Sequence, residues 1–112
     1  MEVFPIMANE SAEHPLSLSM ESTVVAAEAA ISTDLDGEVV ILETNKGIYY
    51  GLDAVGACIW NQLHQRTTLA NIRDAVLQEY DVDLATCERD LITLIQSLSS
   101  NSLVIINESG RP

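Results

Sequence analysis

The side chains with chemistry to offer are two cysteines, two histidines and seventeen carboxylates, and their spacing assembles none of them into a reaction centre. His14 stands near the start of the chain and His64 far from it, and neither lies at metal-ligand spacing from Cys58 or Cys87. There is no glycine-rich phosphate loop, no Gly-x-Ser-x-Gly elbow and no His-Glu-x-x-His pair. Most of the carboxylates fall at turns, helix caps and exposed helix faces, where solvation and capping account for them. No catalytic residue, metal or cofactor is expected, and catalysis is not. The run Ile48-Tyr49-Tyr50-Gly51-Leu52 offers binding chemistry instead. Its tyrosines can stack and donate hydrogen bonds, as binding surfaces require, although the same pair suits an ordinary half-buried strand.

That run belongs to a β-rich first half. Thr23 to Ile31 is small and β-branched, Asp34-Leu35-Asp36-Gly37 is a turn signal, and Glu38 to Glu43 is a short β run. Thr44-Asn45-Lys46-Gly47 makes a second turn, with Asn45 and Gly47 suited to positive φ, and Ile48 to Leu52 follows. Three strands joined by short turns predict an antiparallel meander. The period then changes. Asp53 caps a helix over residues 54–64 with Val55, Ile59, Trp60 and Leu63 on one stripe. Gly56 in that helix suits close packing on a strand, and Trp60 is expected as a core anchor beneath the sheet.

Thr68 caps a second helix carrying Leu69, Ile72, Val76 and Tyr80 on one face. Asp83 caps a third, with Leu84, Cys87, Leu91, Leu94, Ile95 and Leu98 as a broad apolar stripe. Leu84, Leu91, Ile95 and Leu98 are expected in the core, Asn101 as a left-handed stop, and Leu103 to Ile106 as a closing strand. The fold class is α+β and winged helix-turn-helix-like: a three-stranded antiparallel meander, three helices and a short C-terminal strand. Residues 1–20 are expected to be a disordered acidic tail, 21–107 the domain and 108–112 a C-terminal tail.

Five basic residues against seventeen acidic ones give a net charge of −12 over 112 residues. Such a surface repels phosphate, so no nucleic acid and no anionic membrane is expected as partner, whereas a basic peptide is attracted. No apolar run approaches the roughly 20 residues that span a bilayer. The start, Met1-Glu2-Val3-Phe4-Pro5, lacks a secretory signal, so a cytoplasmic protein with reduced cysteines is expected.

Asp36-Gly37-Glu38-Val39-Val40-Ile41-Leu42, Lys46-Gly47-Ile48-Tyr49-Tyr50-Gly51-Leu52 and Val55-Gly56-Ala57-Cys58-Ile59-Trp60 together resemble the PqqD-like family. Its members are recognition elements for ribosomally made, post-translationally modified peptides. The style is that of the free-standing leader-binding proteins of lasso-peptide clusters. Thr68, Leu69, Ile72, Glu79 to Asp83, Asp90-Leu91, Ile95, Leu98 and Leu103 continue the cadence, so the resemblance spans about residues 23–106. It departs at Asp53, where Asn is common, and at Asn101-Ser102, where a Gly is common; the long acidic head is not a family feature.

The resemblance implies a non-catalytic binder of a precursor's leader segment, presenting it to a leader-cleaving protease and a macrocyclase. The leader is expected as a further antiparallel strand beside Ile48, Tyr49, Tyr50, Gly51 and Leu52, with apolar side chains in a cleft against the third helix. Ile48, Tyr50 and Leu52 share one face of that strand, Tyr49 and Gly51 the other, and either set suits the core. On the third helix the expected groove residues are Asp90, Leu94 and Ser97, with Thr93 behind them; Glu88 and Ile92 mark the opposite flank. The competing reading is a winged-helix DNA-binding regulator, which needs a basic recognition helix. Here Arg89 sits between Glu88 and Asp90. A small enzyme subunit is a third reading, with no constellation to support it.

Overall fold

The computed structural model describes residues 3–5 and 18–107. Strand β1 (Val3–Pro5) lies in the head, followed by β2 (Thr23–Ala26), β3 (Ala30–Leu35), β4 (Glu38–Glu43) and β5 (Ile48–Leu52). Then come α1 (Ala54–Trp60), β6 (Thr67–Thr68), α2 (Leu69–Glu79), α3 (Leu84–Ser100) and β7 (Val104–Asn107). The strands form two sheets, ordered β1-β5-β4-β3 and β6-β2-β7.

The meander is β3, β4 and β5, antiparallel throughout. Asp36 and Gly37 carry φ of 56° and 85° at the first turn, the doubly left-handed geometry that matches hairpin twist. The second turn closes through Gly47 at φ 71° and through Glu43, whose Oε1 accepts from the Lys46 amide at 2.7 Å. Glu43 is 1% exposed, a buried acid held by the turn it organises.

The run from Thr23 to Ile31, expected as one strand, is two. β2 leaves the meander and pairs with β7 and β6, and β3 begins at Ala30. The Ala30 amide donates to Ala27 O at 3.1 Å, closing a tight turn that breaks the run between them.

Each helix starts at a side-chain cap: Asp53 accepts from Gly56 N, Thr68 from Asn71 N and Asp83 from Thr86 N. α1 is shorter than expected and ends at Trp60, but a turn through Leu63 N to Trp60 O keeps Leu63 buried. At the end of α3 the left-handed residue is Ser102, at φ 65°, not Asn101, which is the C-cap at φ −99°. The Leu103 amide reaches back to Leu98 O, so the left-handed position falls one residue past the cap.

The core lies between the helices and the sheets. Val39, Ile41, Tyr50 and Leu52 face Ala57, Ile59, Trp60, Leu91, Ile95 and Leu98 across it. Trp60 is 1% exposed and its indole Nε1 donates to Ser32 Oγ at 2.9 Å, so it anchors α1 to β3. A Cβ at Gly56 would stand 3.1 Å from Leu52 Cβ, which is why α1 can begin directly beneath the end of β5. Leu84 departs from the expected core stripe at 52% exposed; it is the first residue of α3 and projects beyond the packed layer.

Two stretches of the expected tail over residues 1–20 lie among the described residues. Val3–Pro5 forms β1, and Leu18 to Met20 pack toward the core, with Ala70 N bonded to Met20 O. The physical reasons are the unpaired edge of β5 for the first and the apolar Leu18 and Met20 for the second. Residues 6–17 and the expected C-terminal tail, 108–112, lie outside the described residues. Among the described residues no helix is long and apolar enough to cross a membrane.

Candidate functional site

β5 is flanked on one side by β4, with Val39 opposite Leu52, Ile41 opposite Tyr50 and Glu43 opposite Ile48. Its other side would be the free edge of the meander, and there β1 pairs with it in parallel, Val3 with Tyr49, Phe4 with Tyr50 and Pro5 with Gly51. This edge therefore accepts an extended chain segment.

Alternation along β5 is settled by burial. Tyr50 and Leu52 are buried and Ile48 half-buried, so this set faces the helices. Tyr49 and Gly51 face outward. Tyr49 stands opposite Leu42, which stands opposite Ile31, giving an apolar row across the outer face of three strands. Burial, then the charge of Glu43, pushes the Tyr50 phenol up, so it stays protonated and serves the core.

On the helix side a cavity of about 160 Å³ opens between α1, α2 and α3. It is lined by Val55 and Ile59 of α1, Val76 of α2, Tyr80 and Val82 of the connecting turn, and Cys87, Asp90 and Leu91 of α3. Val55, 40% exposed, sits at its mouth, three residues past the end of β5. Tyr80 Oη donates to Ala54 O at 3.4 Å, tying the α2–α3 turn to the start of α1. Burial raises the Tyr80 phenol, with Cys58, Glu79 and Asp53 adding, so it remains a neutral donor. An apolar cavity of roughly 150 Å³ holds a benzene ring, so this one suits one aliphatic or aromatic side chain.

Of the expected groove residues, Asp90 lines this cavity, and Thr93, Leu94 and Ser97 do not. Leu94 is half-buried against the core, and Thr93 and Ser97 are likewise half-buried. Val55, Ile59, Val76, Tyr80, Val82, Cys87 and Leu91 were not anticipated as site residues. Their signal in the sequence was an apolar stripe on three successive helices, which reads as core.

The cysteines give no reactive centre. Both are free; burial raises the Cys58 thiol, with Glu79 adding, and burial raises Cys87 despite Arg73. Raised thiols hold little thiolate at neutral pH. No cluster of metal-ligating side chains occurs among the described residues. The cations of the helical pair are engaged by acids: Arg73 Nη1 meets Glu88 at 2.8 Å and its Nε meets Asp74 at 3.0 Å, while Arg89 meets Asp90 at 3.4 Å. A helix so neutralised is a poor partner for phosphate.

The core of the molecule from β4 to the start of β7 carries a family signature: residues 38–104 match the family described as Coenzyme PQQ synthesis protein D (PqqD). The chain belongs to the PqqD family. Among solved structures it is similar to TbiB1 in complex with the TbiA(beta) leader peptide, at 40% identity and a TM-score of 0.68 over 71% of this chain and 93% of that one. It shares its fold with a lasso peptide synthetase B1 complexed with the leader peptide, at 24% identity and a TM-score of 0.66 over 73% of this chain and 96% of that one. No curated protein sequence matches it.

Proposed function

We propose that this protein recognises the leader segment of a ribosomally made precursor peptide and presents it to processing enzymes, without catalysing a reaction itself. The observation that carries the reading is the β5 edge, where an extended segment pairs along Tyr49 to Gly51. It is supported by the 40% identity to a protein solved with a leader peptide bound.

The leader pairs antiparallel with Ile48, Tyr49, Tyr50, Gly51 and Leu52 by main-chain bonds, which supply affinity without reading sequence. Its alternate side chains then project to the two faces of the sheet. Outward ones meet the Tyr49 row. An apolar side chain on the helix side enters the cavity of Val55, Ile59, Tyr80 and Leu91, and Asp90 at its rim meets a basic leader residue. Thr93, Leu94 and Ser97 extend the contact along α3. The partners that receive the leader are a leader-cleaving protease and a ring-forming enzyme of a lasso-peptide pathway, in the cytoplasm.

The test is fluorescence anisotropy with a labelled peptide covering the leader segment of a candidate precursor sought in the gene neighbourhood of this protein. Saturable binding, weakened by Tyr49→Ala, is the expected result. No saturation at protein concentrations up to about 1 mM, a binding free energy weaker than about −4 kcal/mol, would refute the reading.

A further inference from the structure

The strand that occupies the β5 edge is part of this same chain. We propose that β1 is an internal placeholder for the leader: Val3–Pro5 covers β5 in the free protein and must leave before a leader strand pairs there. This inference rests on the leader-binding reading and adds its regulation.

An edge strand has one free row of amides and carbonyls, and one partner strand uses it. β1 and a leader therefore compete for the same amides and carbonyls within Tyr49 to Gly51, those that face away from β4. The leader has no alternative on the far side of β1. That strand is three residues long, and Pro5 has no amide to donate.

The placeholder is built to yield. It pairs in parallel, the slightly weaker arrangement per residue, while β4 on the other side of β5 pairs antiparallel over five residues. Residues 1–17 hold Glu2, Glu10 and Glu13 with no lysine or arginine, on a chain of net charge −12. Self-repulsion thus opposes the closed state, and a more basic leader meets no such penalty. The head acts as a threshold: peptides pairing no better than Val3-Phe4-Pro5 are excluded, and stronger ones displace it.

Only the fraction of protein with an open edge binds, so the apparent dissociation constant is the intrinsic one divided by that fraction. An edge closed nine-tenths of the time weakens leader binding about tenfold.

The test keeps the full chain and removes the pairing. Val3→Pro with Phe4→Pro, beside the native Pro5, leaves β1 without a backbone N–H. Two readouts are taken on wild type and variant: anisotropy with the labelled leader peptide, and hydrogen exchange of the β5 amides in the protein alone. The expected result is leader binding several-fold to about tenfold tighter in the variant, with faster exchange at those amides within Tyr49 to Gly51 that face β1 rather than β4. Leader binding that is intact but equal or weaker in the variant overturns the placeholder and leaves the leader reading standing. Unchanged exchange at those amides overturns it as well. Failure of both proteins to bind the leader overturns the proposed function and the competition with it.

Discussion

Val55→Glu separates binding from folding. Val55 is the second residue of α1, at the mouth of the cavity and 40% exposed. Glutamate there gains helix propensity of a few tenths of a kcal/mol and a favourable interaction with the helix N-terminus of about 0.3–1 kcal/mol. These offset the loss of the partly covered valine, so the melting temperature should stay within about 4 °C of wild type, roughly 1 kcal/mol for a domain of this size. Binding should respond differently. Fully burying one aliphatic or aromatic side chain contributes about 1.5–3 kcal/mol, and a carboxylate at the mouth removes that burial. The leader should bind roughly 10- to 150-fold more weakly. Anisotropy titration measures this, with thermal unfolding followed on the same samples. A dissociation constant within twofold of wild type, at unchanged melting temperature, would refute the role of the cavity in holding the leader.

Tyr49→Ala and Tyr50→Ala should part company: the first costs about 1 kcal/mol or less and weakens leader binding, and the second, at a buried position, costs about 3–5 kcal/mol in urea unfolding. Trp60→Phe loses the bond to Ser32 and some core volume, and should lower the unfolding free energy by about 1–3 kcal/mol at unchanged denaturant slope; a loss under about 0.5 kcal/mol would show the indole to be dispensable. The Asp83 carboxyl is held below its usual 3.8, chiefly by its hydrogen bonds with Thr86, so its stabilisation is present above that value and is lost as pH falls through the lower folded one. Asp83→Asn, which caps without titrating in that range, should therefore show a shallower fall in melting temperature below pH 4 than wild type.

The parts of the fold legible in the sequence are those written in local chemistry. β4 and β5 run between turns, and α2 and α3 begin at the caps Thr68 and Asp83. The division of Thr23 to Ile31 was not legible, because what draws β2 out of the meander is β7, at the opposite end of the chain. β1 was hidden for the same reason: Val3-Phe4-Pro5 has no strand signature, and the free edge of β5 gives it one. For the candidate site, alternation named both faces of β5 but only packing could choose the inner set. Periodicity assigned Val55, Cys87 and Leu91 to a helix stripe, and nothing local distinguishes a stripe that fills a core from one that leaves a cavity.

The pairing of β2 with β7 has an architectural consequence. Thr23 lies opposite Asn107, so the part of the fold from β2 to β7 begins and ends on adjacent strands, about 5 Å apart as in any antiparallel pair. A module whose ends meet in this way can be spliced into a surface loop of another protein without prying that loop open, or joined at either end to an enzyme. The same geometry makes a circular permutant feasible: a short linker from Asn107 to Thr23, with new ends cut elsewhere, would keep β2 to β7 in their pairings while removing β1 from the edge of β5. Such a unit is portable, and whatever it carries travels with it.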